Sequence, residues 1–102
     1  MFALVVKFTL IDQAAADGFD QVVADLVAQI TEHEPGTLVY ATHTVDGEPL
    51  SRIFYEVYAD RAAFEAHEQQ PHTRAFLDGR GEYVESARVE FLGDAPAKGL
   101  PA

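Results

Sequence analysis

The chain has 102 residues, 48% of them hydrophobic and 24% charged, and carries a formal net charge of −10. That is one globular domain's worth of chain, too apolar for disorder and too acidic to favour nucleic acid or an anionic membrane as partner. With no cysteine, disulfides, thiolate nucleophiles and cysteine-ligated zinc are excluded, and the cytoplasm is the default location.

The apolar start, Met1 to Val6, is cut by Lys7. It is too short to span a bilayer and lacks the basic opening of a signal peptide. Phe2 to Ile11 alternates: Phe2, Leu4, Val6, Phe8 and Leu10 share one face, which predicts a strand. From Asp12 to Glu34, Phe19, Val22, Val23, Leu26, Val27 and Ile30 recur at steps of three and four. That spacing predicts an amphipathic helix, capped by Asp12 or Asp17 and ended by Pro35-Gly36. Thr37 to Val45 reads as a second strand. Asp46-Gly47 predicts a hairpin, lengthened by Glu48-Pro49, before a third strand from Leu50 to Ala59. Asp60 caps a short helix from Arg61 to about Gln69, and Pro71 opens another that Gly79 or Gly81 would end. Glu82 to Leu92 alternates as the last strand, with Tyr83, Ala87, Val89 and Phe91 on one face. Residues 93–102 hold no periodicity and read as a flexible tail, leaving 1–92 as a single domain.

This order predicts a ferredoxin-like α+β sandwich: a four-stranded antiparallel sheet, βαββαβ, with helices on one face. The other face would carry Val5, Ile11, Val39 and Val45. An exposed apolar sheet of that size predicts a homodimer, because a self-complementary patch needs only one sequence. It would also account for an apolar content that is generous for a small domain.

The third strand places Arg52, Phe54, Glu56 and Tyr58 on one face. A carboxylate amid aromatics either pairs with a neighbour or serves a site. Phe64 and His67 share one helical stripe, and His72 and Phe76 another, so both histidines are expected to look toward the sheet. Each has a plain structural reading as a buried, satisfied imidazole. Each also has a functional one as a base that titrates near neutral pH. Tyr40 and Tyr58 are amphipathic core residues or phenol donors beside the same gap. His67 and His72 lack the one-face spacing of a helical zinc motif, and there is no dinucleotide fingerprint or serine nucleophile elbow. No metal or cofactor is expected.

Taken together, Glu34-Pro35-Gly36-Thr37-Leu38-Val39-Tyr40, Phe54-Tyr55-Glu56-Val57-Tyr58, Ala63-Phe64-Glu65-Ala66-His67 and Pro71-His72-Thr73-Arg74-Ala75-Phe76 resemble the antibiotic biosynthesis monooxygenase domain. The resemblance runs to about Phe91. It implies two ferredoxin-like sheets packed as a dimeric α/β barrel, with a pocket between sheet and helices. It also implies oxidation of a quinol or hydroxylated aromatic by O2 without a cofactor. Haem degradation would need an asparagine and a ligating histidine where Val6 and Leu77 stand, and the family's third-strand tryptophan falls on Tyr58. Under this reading His67 or His72 is the base and Tyr58 a donor. Phe54, Glu56, Phe64, Phe76 and Tyr40 would contact the substrate. A ligand-binding dimer without catalysis, and an isomerase or cyclase, are the alternatives.

Overall fold

Alternation becomes a strand at the start of the chain because period two sends every second side chain to one face. β1 (Phe2–Leu10) buries Leu4, Val6, Phe8 and Leu10 in this way. The computed structural model describes residues 1–101. In α1 (Gln13–His33), Ala16, Phe19, Val23, Leu26 and Ile30 form the buried stripe. Of the two candidate caps, Asp12 takes the role: its carboxylate accepts from the Ala15 amide at 2.8 Å. That satisfies one of the N–H groups every helix start leaves free.

β2 (Thr37–Val45) and β3 (Glu48–Tyr58) are joined by Asp46-Gly47 alone. The strand thus begins earlier than the sequence suggests and includes Pro49. Pairing with β1 starts only at Ser51, so the missing proline N–H costs that ladder nothing. Gly47 takes a φ of +79°, a conformation glycine adopts without strain. α2 (Arg61–Gln69) is capped by Asp60, which accepts from the Ala63 amide at 2.8 Å. α3 (Pro71–Gly79) carries its proline in the first turn. A 3-10 turn over Arg80–Glu82 occupies what read as the start of the last strand, so β4 is Val84–Leu92.

The sheet order is β2-β3-β1-β4, with every neighbouring pair antiparallel. This is the ferredoxin-like α+β fold. Rings from sheet and helices meet in its core: Phe8, Phe19, Phe54 and Phe76 have centroid separations between 4.8 and 6.4 Å. Arg52 is buried on the same face and is held by Asp20 of α1 through two hydrogen bonds, of 2.9 and 3.0 Å. On the other face, Val57 is only 1% exposed and shares a hollow with Ala3, Tyr55, residues 93–97 and Leu100. Ile11, expected on that face, lies past the end of β1 and is half exposed. No helix is long and apolar enough to cross a membrane.

Candidate functional site

Strand register places the side chains of the helix-facing side in rows across the sheet. Tyr40, Glu56, Leu4 and Phe91 form one row. Phe54, Val6 and Val89 belong to the next, and Phe8 and Ala87 to the one after. α2 and α3 roof the inner part of these rows but not β4, where Val89 and Phe91 remain 47% and 63% exposed. A cavity of about 160 Å³ results, with Phe54, Phe64 and Phe76 among its apolar walls and Tyr40, Glu56 and His67 at its inner end.

His67 is buried, and its Nδ1 donates to Glu34 Oε1 at 2.7 Å. An ionised carboxylate only accepts, so in the neutral ring the hydrogen sits on Nδ1 and Nε2 holds the lone pair. Nε2 has no protein partner, yet no fully enclosed side-chain nitrogen or oxygen lacks one among the described residues. Nε2 therefore meets the open space of the cavity. Glu34 itself sits at the C-terminal cap of α1, buried, where Pro35-Gly36 turns the chain into β2. Its second oxygen accepts from His72 Nε2 at 2.5 Å, and Thr37 Oγ1 donates to its first at 2.7 Å. One carboxylate thus ties together the end of α1, the start of β2, α2 and α3. Gly36 makes this approach possible: a Cβ there would lie 2.8 Å from the Ala63 Cβ.

Glu56 is a different kind of carboxyl. It is 5% exposed and accepts from the Tyr58 hydroxyl at 2.6 Å. Burial pushes its pKa up to about 7, opposed by the Tyr58 hydrogen bond and reinforced by the negative charges of Glu68 and Glu34. At neutral pH it is therefore divided between acid and base forms. Burial and the Glu56 charge raise the Tyr58 phenol, and burial followed by Glu56 and Glu34 raises that of Tyr40. Both phenols remain protonated donors through neutral pH.

The antibiotic biosynthesis monooxygenase family model matches residues 1–79. The chain belongs to this family. Three solved structures share the fold of this antibiotic biosynthesis monooxygenase domain. One from Bacteroides thetaiotaomicron, under the same family name given provisionally, is 20% identical with a TM-score of 0.86, covering 99% of this chain and 94% of that one. Another of the same provisional name, from Caulobacter crescentus, is 25% identical with a TM-score of 0.85, covering 93% and 90%. The Pseudomonas aeruginosa protein PA3566 is 22% identical with a TM-score of 0.82, covering 93% and 94%. No curated protein matches the chain.

Within this family fold the residues singled out from sequence separate into two groups. Tyr40, Phe54, Glu56, Phe64, His67 and Phe76 line the cavity. Tyr58 does not: it is fully buried behind Glu56, to which its hydroxyl is bound. His72 lies outside the cavity as well, bound to Glu34 and stacked on His33 with ring centroids 6.1 Å apart. Val6 and Leu77 also line the cavity and offer no ligand atom. Among the described residues no group of three or more His, Cys, Asp or Glu is arranged to hold a metal ion. Sequence reasoning noticed Glu34 only as part of a family stretch. The available clue was a lone acid beside a helix-ending Pro-Gly, followed by two inward-facing histidines.

Proposed function

We propose that this protein is a cofactor-independent monooxygenase that oxidises a quinol or hydroxylated aromatic with O2. The observation that supports it is the inner end of the cavity, where an oriented histidine base and a carboxyl with a pKa of about 7 meet in an apolar pocket. Such a pocket strengthens charge interactions and keeps water from a reactive anion. His67 Nε2 accepts the phenolic proton, and the resulting anion is electron-rich enough to reduce O2. A ring carbon bonds to oxygen and forms a peroxide, which the phenolic proton completes. His67, neutral again, takes that carbon's own hydrogen as a proton, which drives cleavage of the O–O bond and leaves a proton to return to Glu56 after turnover. Protonated Glu56 supplies a proton to the departing hydroxide. The ring C–H becomes C=O, O2 is reduced, and one water leaves. In this scheme Tyr58 holds Glu56 in place rather than touching substrate, and His72 holds Glu34.

O2 uptake with a panel running from single-ring quinols to tricyclic anthrones tests the reading, activity with any member being enough to support it. Uptake is expected for the native protein and loss of at least about a hundredfold for His67→Ala, in line with the typical contribution of a general base. Ligand-induced stabilisation without uptake by any member would replace it with a binding role.

We further propose that two copies pair through the sheet face away from the helices. Val5, Val39 and Ile53 are only partly covered there, and a second copy supplies a matching apolar face. Light scattering at micromolar concentration is expected to give twice the chain mass; a clean monomer refutes it. A cytoplasmic location belongs to the same proposal and rests on the absence of cysteine.

A further inference from the structure

The cavity has two chemically unlike ends. Its inner end is acidic: Glu56 lines it, Glu68 beside His67 lines it too, and Glu34 stands behind His67. Its outer end is bounded by β4 and by Arg80, which sits in the turn that leads into β4, is exposed and makes no ion pair among the described residues. Arg80 is the one cationic side chain among the described residues that line this cavity. In a protein of net charge −10, an unpaired arginine beside an apolar opening marks a place where negative charge is accepted.

Size restricts the occupant further. The volume of about 160 Å³ matches an apolar void of ~150 Å³ that holds one benzene ring. It is well below the ~300 Å³ at which drug-sized ligand pockets begin. Glu56 on β3 and β4 are two strand spacings apart, roughly 10 Å, and Arg80, in the turn ahead of β4, lies further along the strands. A single ring held at Glu56 therefore reaches Arg80 only through a chain at its far end. A fused polycycle exceeds the volume.

We propose that the cavity takes a single hydroxylated ring bearing a carboxylate tail, with the hydroxyl toward His67 and Glu56 and the tail on Arg80. The assignment deepens the monooxygenase reading and rests on it for which end of the ligand points inward. The acidic inner end repels the carboxylate, while Arg80 draws it to the mouth, so the two charges act together to set orientation. Orientation fixes which ring carbon faces O2, and Arg80 is thereby a specificity-determining residue.

Binding measured calorimetrically on the full chain under nitrogen tests this without turnover. The probes are 3-(4-hydroxyphenyl)propionate, its neutral counterpart 4-propylphenol, and the tricyclic 9-phenanthrol. The carboxylate probe is expected to bind about fivefold tighter than 4-propylphenol, the scale of a partly exposed charge pair. Arg80→Gln is expected to remove that preference and leave 4-propylphenol binding unchanged; added salt does the same. The tricycle is expected not to compete. Equal affinity for the two phenols, equal weakening of both by Arg80→Gln, or tight tricycle binding each overturns the proposal. Binding as expected but no O2 uptake under air would instead remove the monooxygenase reading and leave the ligand class standing.

Discussion

Replacing Glu56 by Gln offers a quantitative check on the chemistry assigned to the cavity. Glu56 holds its proton up to about pH 7 in the folded protein, against an ordinary value of 4.5. The unfolded chain releases that proton near the ordinary value. Between these two pH values the folded state binds more protons than the unfolded one, so stability falls as pH rises through the window. The rise from 4.5 to about 7 amounts to at most about 3 kcal/mol, at 1.36 kcal/mol per pH unit. Below the window Glu56 is protonated in both states and imposes no such loss. Gln has nearly the same shape, never ionises, and can still accept from Tyr58. The stability of Glu56→Gln relative to the native protein should therefore climb by up to about 3 kcal/mol between pH 4 and pH 8, then level off. Urea unfolding of both proteins at half-unit pH steps measures this, and the difference cancels the pH dependence of every other group. A flat difference across that range would show that Glu56 titrates normally, and the acid role would fall with it. The same substitution should depress O2 turnover without abolishing ligand binding, because it removes the proton donor and spares the walls.

The remaining expectations concern the scaffold around that carboxyl. Glu34→Ala leaves His67, His72 and Thr37 facing an empty site and should cost about 3 kcal/mol in chemical unfolding, the usual scale for breaking a buried ionic cluster; a cost near zero would mean the cluster does not organise the helices. His72→Ala keeps the Glu34–His67 contact, so it should lower stability while leaving the pH profile of O2 uptake in place, whereas His67→Ala should remove the uptake itself. Gly36→Ala forces a Cβ to within 2.8 Å of Ala63 and should destabilise by about 1–3 kcal/mol, with Ala63→Gly in the same chain restoring most of the loss. Deleting residues 93–102 uncovers Val57 and should increase binding of a hydrophobic dye, unless a second copy already shields that surface.

Much of the fold is legible because its elements carry strong local patterns. β1 alternates cleanly, α1 repeats its apolar stripe over several turns, and Asp12, Asp60 and Pro71 mark helix starts by chemistry that needs no tertiary help. The misplaced boundaries have tertiary causes. Pro49 reads as loop in isolation, but only a strand paired on both sides would object to it, and β1 pairs from Ser51 onward. Glu82 reads as strand by its place in an alternating run, yet the chain needs the Arg80–Glu82 turn to bring β4 from the end of α3 onto the sheet edge.

The site divides along the same line. The cavity walls follow from which face of a strand or helix a residue occupies, and periodicity reports that directly. Roles do not follow, because a role depends on which partner a polar atom meets. Tyr58 and Glu56 are two apart on one strand face, so both were candidates for contact with substrate. Only the packed structure shows one hydroxyl bound to the other residue's carboxylate. His67 and His72 look equivalent in sequence, each near an apolar ring at helical spacing. Glu34 separates them: it binds Nδ1 of one and Nε2 of the other. The first therefore presents its remaining nitrogen to the cavity and the second does not. That distinction spans more than thirty residues of chain, with contacts at sequence separations of 33 and 38, beyond any window in which spacing carries information. Under the proposed mechanism, the imidazole that meets the substrate is oriented by a carboxylate that does not, and Glu34→Gln is where that influence should be read. A Gln amide has one accepting oxygen where the carboxylate has two, so it can no longer accept from both rings. Turnover in the variant should fall together with its stability to urea. Turnover at the native level in a destabilised variant would mean that Glu34 holds the helices together and does nothing for His67.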